Sequence, residues 1–111
     1  MNKKYIITKN EEIEKIVKTG KKKVSRYYII YYIDNNEENY NKYCISVSKK
    51  LGKANVRNKI KRRIKDILVK NKMELSKKYV IIIRKAGIEA SYEDLKEKLI
   101  AEIKGEKNEK N

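Results

Sequence analysis

Histidine is absent from all 111 residues. Its absence removes imidazole as a general acid or base and removes the usual zinc ligand sets. Cysteine occurs once, at Cys44, so no disulfide can form within the chain. Cys44 lies in an apolar strand and reads as a small buried side chain. No apolar run approaches 18 residues and no signal-peptide core is present, so a cytoplasmic protein with no membrane contact is expected. There is no Walker or dinucleotide glycine loop and no nucleophile–base constellation. If the chain serves an enzyme, its own side chains are poor candidates for the chemistry.

What is abundant is positive charge. Thirty Lys and Arg face 15 Asp and Glu, a net charge of +15. An acidic partner is implied, with nucleic acid the leading class. Asn, Lys and Ile are heavily used throughout, so part of the Lys excess is compositional. The clustering is the stronger signal. From Lys49 to Lys65, nine of 17 positions are Lys or Arg and none is Asp or Glu.

From Ala54 the stretch has helical periodicity, predicted to continue to about Asn71. Val56, Ile60, Ile64 and Ile67 fall within an arc of about 80°. Arg57, Asn58, Lys61, Arg62 and Lys65 project on the other side. No carboxylate stands three or four residues from Arg57, Asn58 or Lys61, and only Asp66 follows Arg62 at four. Such a face repels itself and suits a polyanion better than intrachain ion pairs. Gly52 can turn the chain before it, and Asn55 can cap its first amides. Three readings compete: a solvated basic face, a membrane-surface helix and a phosphate-binding helix. The narrow β-branched stripe, without Trp or Phe, argues against the membrane. Phosphate binding is favoured, because guanidinium groups fork onto phosphate oxygens while lysines act as point charges.

The remaining elements frame that helix. Thr8-Lys9-Asn10-Glu11 fits a capping box, followed by a helix to about Thr19 with Ile13, Ile16 and Val17 on one side. Gly20 is expected to close it in the left-handed conformation, and Lys21-Lys22-Lys23 to form a basic loop. Val24–Ile33 reads as one strand with two apolar faces, Tyr27, Ile29, Tyr31 and Ile33 against Tyr28, Ile30 and Tyr32. The acidic turn 34–39 should point away from a polyanion. Tyr43–Ser48 alternates, with Tyr43, Ile45 and Val47 on one side and Cys44, Ser46 and Ser48 on the other. The small-residue side could floor a groove with the basic helix as its wall.

A connector over Met73–Lys78 precedes the apolar strand Tyr79–Ile83, which runs into Arg84-Lys85, and Gly87 turns the chain. Ser91-Tyr92-Glu93-Asp94 is a second capping box. The last helix should bury Leu95, Leu99 and Ile103. Residues 1–104 read as a single RNA-binding domain and 105–111 as a disordered tail. The predicted class is α+β: a small, mostly antiparallel sheet packed with three helices, in the order αββαβα.

Ser46-Val47-Ser48-Lys49-Lys50, then Gly52, Ala54, Arg57, Asn58, Lys61 and Arg62, resemble the signature of the bacterial ribonuclease P protein subunit. The resemblance extends to the first helix ending at Gly20, the aromatic strand preceded by Arg26, and the strand ending in Arg84-Lys85. It implies a sheet with an unusual left-handed βαβ crossover, against the general rule. It also implies a partner, the catalytic ribonuclease P RNA, bound 1:1. That RNA removes the 5′ leader of precursor tRNA with Mg²⁺ bound mainly by the RNA. Lys53, Arg57, Asn58, Lys61, Arg62 and Lys65 would contact the RNA subunit. Ile13, Val17, Tyr31, Ser46, Ser48, Lys49, Lys50, Arg84 and Lys85 would hold the leader. Departures are Ile13 and Val17 where the family has phenylalanines, Asn55 in place of an apolar residue, and Arg63 in place of a leucine. A ribosomal or RNA-assembly protein shares the charge logic but needs no leader groove. A duplex-DNA reader has no helix-turn-helix pair to support it.

Overall fold

Four strands form one sheet in the order β1-β2-β4-β3 in the computed structural model, which describes residues 1–72 and 75–104. Met73 and Glu74 of the expected connector and the expected tail at 105–111 lie outside those residues. The elements are α1 (Asn10–Thr19), β1 (Lys21–Val24), β2 (Tyr28–Asp34), β3 (Lys42–Val47), α2 (Ala54–Lys70), β4 (Lys77–Ile83), α3 (Lys85–Glu89) and α4 (Tyr92–Lys104). Single 3₁₀ turns cover Lys3–Tyr5 and Lys49–Leu51. β1–β2 and β2–β4 pair antiparallel, whereas β3–β4 pair parallel. A parallel pair needs a crossover, and α2 supplies it. The class is α+β as expected, with one strand and one short helix more than the order αββαβα contains.

Strand alternation builds two cores. Tyr28, Ile30 and Tyr32 of β2, Tyr43 and Val47 of β3, and Tyr79, Ile81 and Ile83 of β4 share one face. Onto it pack Ile60, Ile64, Ile67 and Leu68 of α2 and Leu95, Leu99 and Ile103 of α4. The other face holds Val80 with Ile7 and Ile16, flanked by Ile13, Tyr31, Ile33, Cys44 and Ile82. One face of β2 is therefore fully covered and the other in part, as its composition suggested. Each fully buried Ile or Leu stabilises the fold by ~1.5–3 kcal/mol.

Tyrosine does the work of the missing phenylalanine. The rings of Tyr43 and Tyr79 stack at 5.5 Å and 12°, and Tyr32 tilts against Tyr79 at 5.9 Å. Tyr28 is fully buried and its hydroxyl donates to the Leu95 carbonyl at 2.8 Å, which joins the sheet to α4. Burial pushes the Tyr28 phenol well above its ordinary value, with the neighbouring Tyr27 adding to the shift.

Several local expectations change. Lys9, not Thr8, is the residue before α1, and no side chain caps that helix. Gly20 is extended at φ −80°, ψ 168°, not left-handed. Its role is close approach: a Cβ there would stand 2.5 Å from the Ile16 carbonyl oxygen and 2.6 Å from that of Tyr32. Lys21–Lys23 are not a loop but most of β1, and the single strand expected over Val24–Ile33 is two strands joined at Ser25–Tyr27. Gly87 lies inside α3 rather than in a turn. Val56 is exposed, so the buried stripe of α2 begins at Ile60 and gains Leu68. Asn55 lies inside α2, its side-chain oxygen accepting from the Val56 amide at 2.9 Å. The second cap agrees with expectation: Ser91 Oγ accepts from the Asp94 amide at 3.1 Å.

Candidate nucleic-acid interface

Helix α2 turns its apolar stripe to the sheet, so its opposite side faces solvent. Lys53, Asn58 and Arg62 are exposed, while Arg57, Lys61 and Lys65 are half-buried. Arg63 is also half-buried, beside the apolar stripe. Among the described residues no carboxylate pairs with any of these cations. Arg57 donates Nε to the Gly52 carbonyl at 3.1 Å, which orients its fork. Gly52 itself stands at φ 158°, ψ 177°, a conformation open almost only to glycine. Asp66, the only acid of the helix, is engaged elsewhere. It accepts from the Tyr92 hydroxyl at 2.5 Å and from Lys70 Nζ at 3.3 Å. The Tyr92 hydrogen bond, then Lys70, hold its carboxyl below the ordinary range. The basic side is left uncompensated, the state that favours a polyanion.

Charge is also sorted along the strands. Val47 pairs with Ile83 and Ile83 with Tyr28, so the end of β3, the end of β4 and the start of β2 lie together at one end of the sheet. That end carries Ser48, Lys49, Lys50, Arg84, Lys85 and Arg26. Ser48 Oγ accepts from the Lys50 amide at 3.2 Å and starts the turn that presents both lysines. Arg84 ties its amide to the Tyr27 carbonyl and Nη1 to the Ser25 carbonyl, each at 2.8 Å. Arg84 thus pins the β1–β2 turn, while Lys85 stays exposed. The opposite end holds Asp34, Glu37 and Glu38. Asp34 pairs with Lys77 at 2.8 Å and Glu37 with Lys78 at 2.9 Å. As expected of the acidic turn, it sits away from the basic end.

On the face shared with α1, the register sets out rows across the sheet. Lys22, Tyr31, Val80 and Cys44 form one; Val24, Ile29, Ile82 and Ser46 form the next. Ile16 and Ile13 of α1 pack on the first row. The second row remains partly open: Val24 is 56% exposed, Ser46 is exposed, and Ile29 and Ile82 are half-buried. An apolar shelf with a basic rim results. Tyr31 is half-buried beside it, with Lys22 Nζ 5.6 Å from its ring centroid. Val17, on the same helix as Ile13, is 37% exposed.

The wall of this groove is α1, not the basic helix. Tyr43 and Val47 turn toward α2, so their alternates Cys44 and Ser46 necessarily turn away from it. Lys61 of α2 nevertheless stands near enough to β3 for its charge to act on Cys44. Burial pushes the Cys44 thiol up, and the Lys61 charge partly offsets that shift. The two candidate surfaces therefore adjoin at β3 rather than forming one cleft.

Comparison with known proteins gives one consistent result. A family model described as Ribonuclease P matches residues 1–105. The chain belongs to the ribonuclease P protein family. The ribonuclease P protein component of Geobacillus kaustophilus is 43% identical over 102 residues, covering 90% of this chain and 84% of the relative. That of Bacillus cereus is 40% identical over 102 residues, covering 90% and 89%. A Staphylococcus aureus RNase P protein mutant with defective mRNA degradation activity superposes with a TM-score of 0.88 at 35% identity, covering 95% of this chain and 90% of that one. The RNase P protein from Thermotoga maritima gives 0.75 at 30% identity, covering 80% and 86%.

Within the ribonuclease P protein fold, the site residues expected from the sequence separate into two groups. Lys53, Arg57, Asn58, Lys61, Arg62 and Lys65 share α2 and its entry. Ile13, Tyr31 and Ser46 lie on the α1 face, with Val17 beside them, and Ser48, Lys49, Lys50, Arg84 and Lys85 gather at its basic end. The shelf residues Val24, Ile29 and Ile82 are not among the expected site residues; Lys22 is expected only as part of a basic loop and Arg26 only as part of the resemblance. Ile29 was legible, since alternation puts it on the face of Tyr31. Val24 and Lys22 were hidden because their strand is mostly lysine. Among the described residues no group of three or more His, Cys, Asp or Glu could hold a metal ion, and no helix is long and apolar enough to cross a membrane.

Proposed function

We propose that this chain is the protein subunit of a ribonuclease P. It binds the catalytic RNA 1:1 through Lys53, Arg57, Asn58, Lys61, Arg62 and Lys65. It holds the single-stranded 5′ leader of precursor tRNA along the α1 groove. Lys49, Lys50, Arg84 and Lys85 meet leader phosphates at the basic end, Tyr31 stacks on a base, and Ser46, Ser48, Ile13 and Val17 complete the lining. The RNA performs hydrolysis with Mg²⁺ that it holds itself. The protein supplies charge neutralisation and substrate positioning.

One observation carries the proposal: an α2 face whose cations have no carboxylate partner among the described residues, adjoining at β3 a shelf with Lys49, Lys50, Arg84 and Lys85 at one end and Asp34, Glu37 and Glu38 at the other. A protein that merely coated folded RNA would need the first and not the second. The test is reconstitution with a bacterial catalytic RNA and precursor tRNA at low Mg²⁺. Leader removal should exceed that by RNA alone. No gain would remove the proposal, and co-purification with ribosomal RNA instead would favour an assembly role.

A further inference from the structure

The far end of α2 borders a cavity of about 240 Å³ that neither the basic helix face nor the leader groove uses. Tyr5, Tyr40, Tyr43, Leu68 and Val69 supply its apolar walls, and Asn2, Asn41 and Lys72 its polar lining. Among the described residues no carboxylate lines it. The rings of Tyr5 and Tyr40 meet edge to face, 5.2 Å apart at 83°. Lys4 Nζ sits 5.1 Å from the Tyr5 centroid and 5.0 Å from that of Tyr40. The floor is fixed: Asn41 donates to the Tyr43 hydroxyl at 3.2 Å and accepts from the Lys77 amide at 2.8 Å. Val69, at the rim, is 45% exposed.

We propose that this cavity is a subsite for one unstacked nucleobase of the RNA partner. The chemistry is that of a stacking platform with a cationic mouth. Tyrosine rings and aliphatic walls accept any flat base, and Lys72, in the lining, supplies a cation for its phosphate. Lys4 now occupies the ring faces as a cation–π partner. Position supports the occupant as well. Leu68 and Val69 stand one turn beyond Lys65, so RNA lying on the basic face of α2 reaches the cavity without leaving the helix. Lys72 in the lining, with no carboxylate beside it among the described residues, and continuity with the basic face of α2 favour a polyanion over an apolar peptide or a second copy of the chain.

This subsite rests on the proposed RNA partner, and the test separates the two. The affinity of the full chain for a bacterial ribonuclease P RNA is measured across a salt series for wild type, Tyr40→Leu, Tyr5→Leu and Lys72→Gln. Adenosine 5′-monophosphate is titrated in parallel while the Tyr5 and Tyr40 ring signals are followed by NMR. Each tyrosine variant that keeps the wild-type melting temperature should bind roughly tenfold more weakly at every salt, with an unchanged slope of log K against log salt, because stacking releases no counterion. Lys72→Gln should lower that slope by ~0.7–0.9. Tight wild-type binding with both tyrosine variants within twofold of it would overturn the subsite and leave the function standing. No wild-type binding would remove the function, and the nucleotide titration would then decide the subsite: shifted ring signals retain it, unmoved ones overturn it. Self-association of the free chain, abolished by Tyr40→Leu, would assign the cavity to a second copy and also overturn it.

Discussion

Lys78, buried on the face shared with α1, holds Glu37 of the β2–β3 loop at 2.9 Å and binds Glu12 of α1 at the same ammonium. Burial alone would lower the Lys78 pKa, but the two carboxylates outweigh it and raise it. The side chain thereby ties the groove wall to the sheet. Lys78→Met keeps the stem and removes the charge. Glu37 is 70% exposed and can rehydrate, but Glu12 is only 23% exposed and also loses its cation, so a cost of about 1–3 kcal/mol is expected, below that of a fully stranded ion. Urea unfolding checks the magnitude, and faster amide exchange confined to α1 checks the place. The Glu37 carboxyl sits below its ordinary value, by the Lys78 hydrogen bond first and its charge second. Asp34 is lowered likewise by Lys77. A lowered folded pKa gives stability that is present above the unfolded values of 4.5 and 3.8 and is lost as pH falls below them. Wild type should therefore weaken on acidification, and Lys78→Met should weaken less steeply.

At the alkaline end the sign reverses. Burial raises the Tyr28 phenol above 10.0, and burial raises Tyr43 as well. The folded state holds those protons more tightly, so stability is full below pH 10 and declines as pH rises past it. Tyr28→Phe removes the largest contributor together with the hydroxyl bond to Leu95. It should cost about 1 kcal/mol at neutral pH and flatten the alkaline decline. Urea midpoints at pH 7 and at successive values above 9 test both. An unchanged alkaline slope would show that Tyr28 is not the residue responsible.

How far the sequence foretold this structure depends on what each residue reports. Leu95, Leu99 and Ile103 are all buried, because an amphipathic helix announces its own face. Both faces of β2 were legible for the same reason at period two. β1 was not: Lys21-Lys22-Lys23 has low strand propensity, and only its pairing with Tyr32, Tyr31 and Ile30 makes it a strand. Nor could alternation in β3 say which helix covers which side. It grouped Cys44 with Ser46 correctly, yet the wall beside them is α1. Long-range packing decides that choice, and no local pattern records it. The basic face of α2 needed only period and charge, so it was read nearly whole.

Gly20 illustrates the same limit and makes a sharp prediction. Its backbone is ordinary, but a methyl group there meets two carbonyl oxygens at 2.5 and 2.6 Å. Both belong to backbone held in α1 and β2, so neither can step aside cheaply. Gly20→Ala should destabilise by roughly 1–3 kcal/mol, as overpacking does, although helix and strand propensities would rank alanine as harmless. A melting shift of several degrees checks it.

Arg57 and Arg62 test the assembly surface. Arg62 is exposed, and the half-buried Arg57 donates Nε to the Gly52 carbonyl. The double variant Arg57→Ala, Arg62→Ala should leave the melting temperature within a few degrees. If each guanidinium neutralises one phosphate, the slope of log K against log salt should fall by ~1.4–1.8. Binding measured between 50 and 200 mM salt gives the number. Unchanged affinity would reject both roles.

Tyr31 tests the groove. It sits between Lys22 on β1 and Val80 on β4, and Val80 is closed over by α1. The ring is thus anchored on one flank, while its other flank borders the open row of Ile29 and Ile82. A ring held at the margin of an aliphatic shelf stacks on a base without the cost of ordering itself first. Stacking is worth ~1–3 kcal/mol per base, so Tyr31→Ala should reduce the preference of the holoenzyme for precursor over mature tRNA by roughly 5- to 150-fold. Tyr31→Phe keeps the π-face and should retain most of it. Because Ile13 and Val17 are aliphatic, no aromatic on α1 can replace Tyr31. Parallel affinity measurements with both tRNAs decide the matter, and a Tyr31→Ala holoenzyme that still discriminates fully would assign leader recognition to the lysines at the basic end.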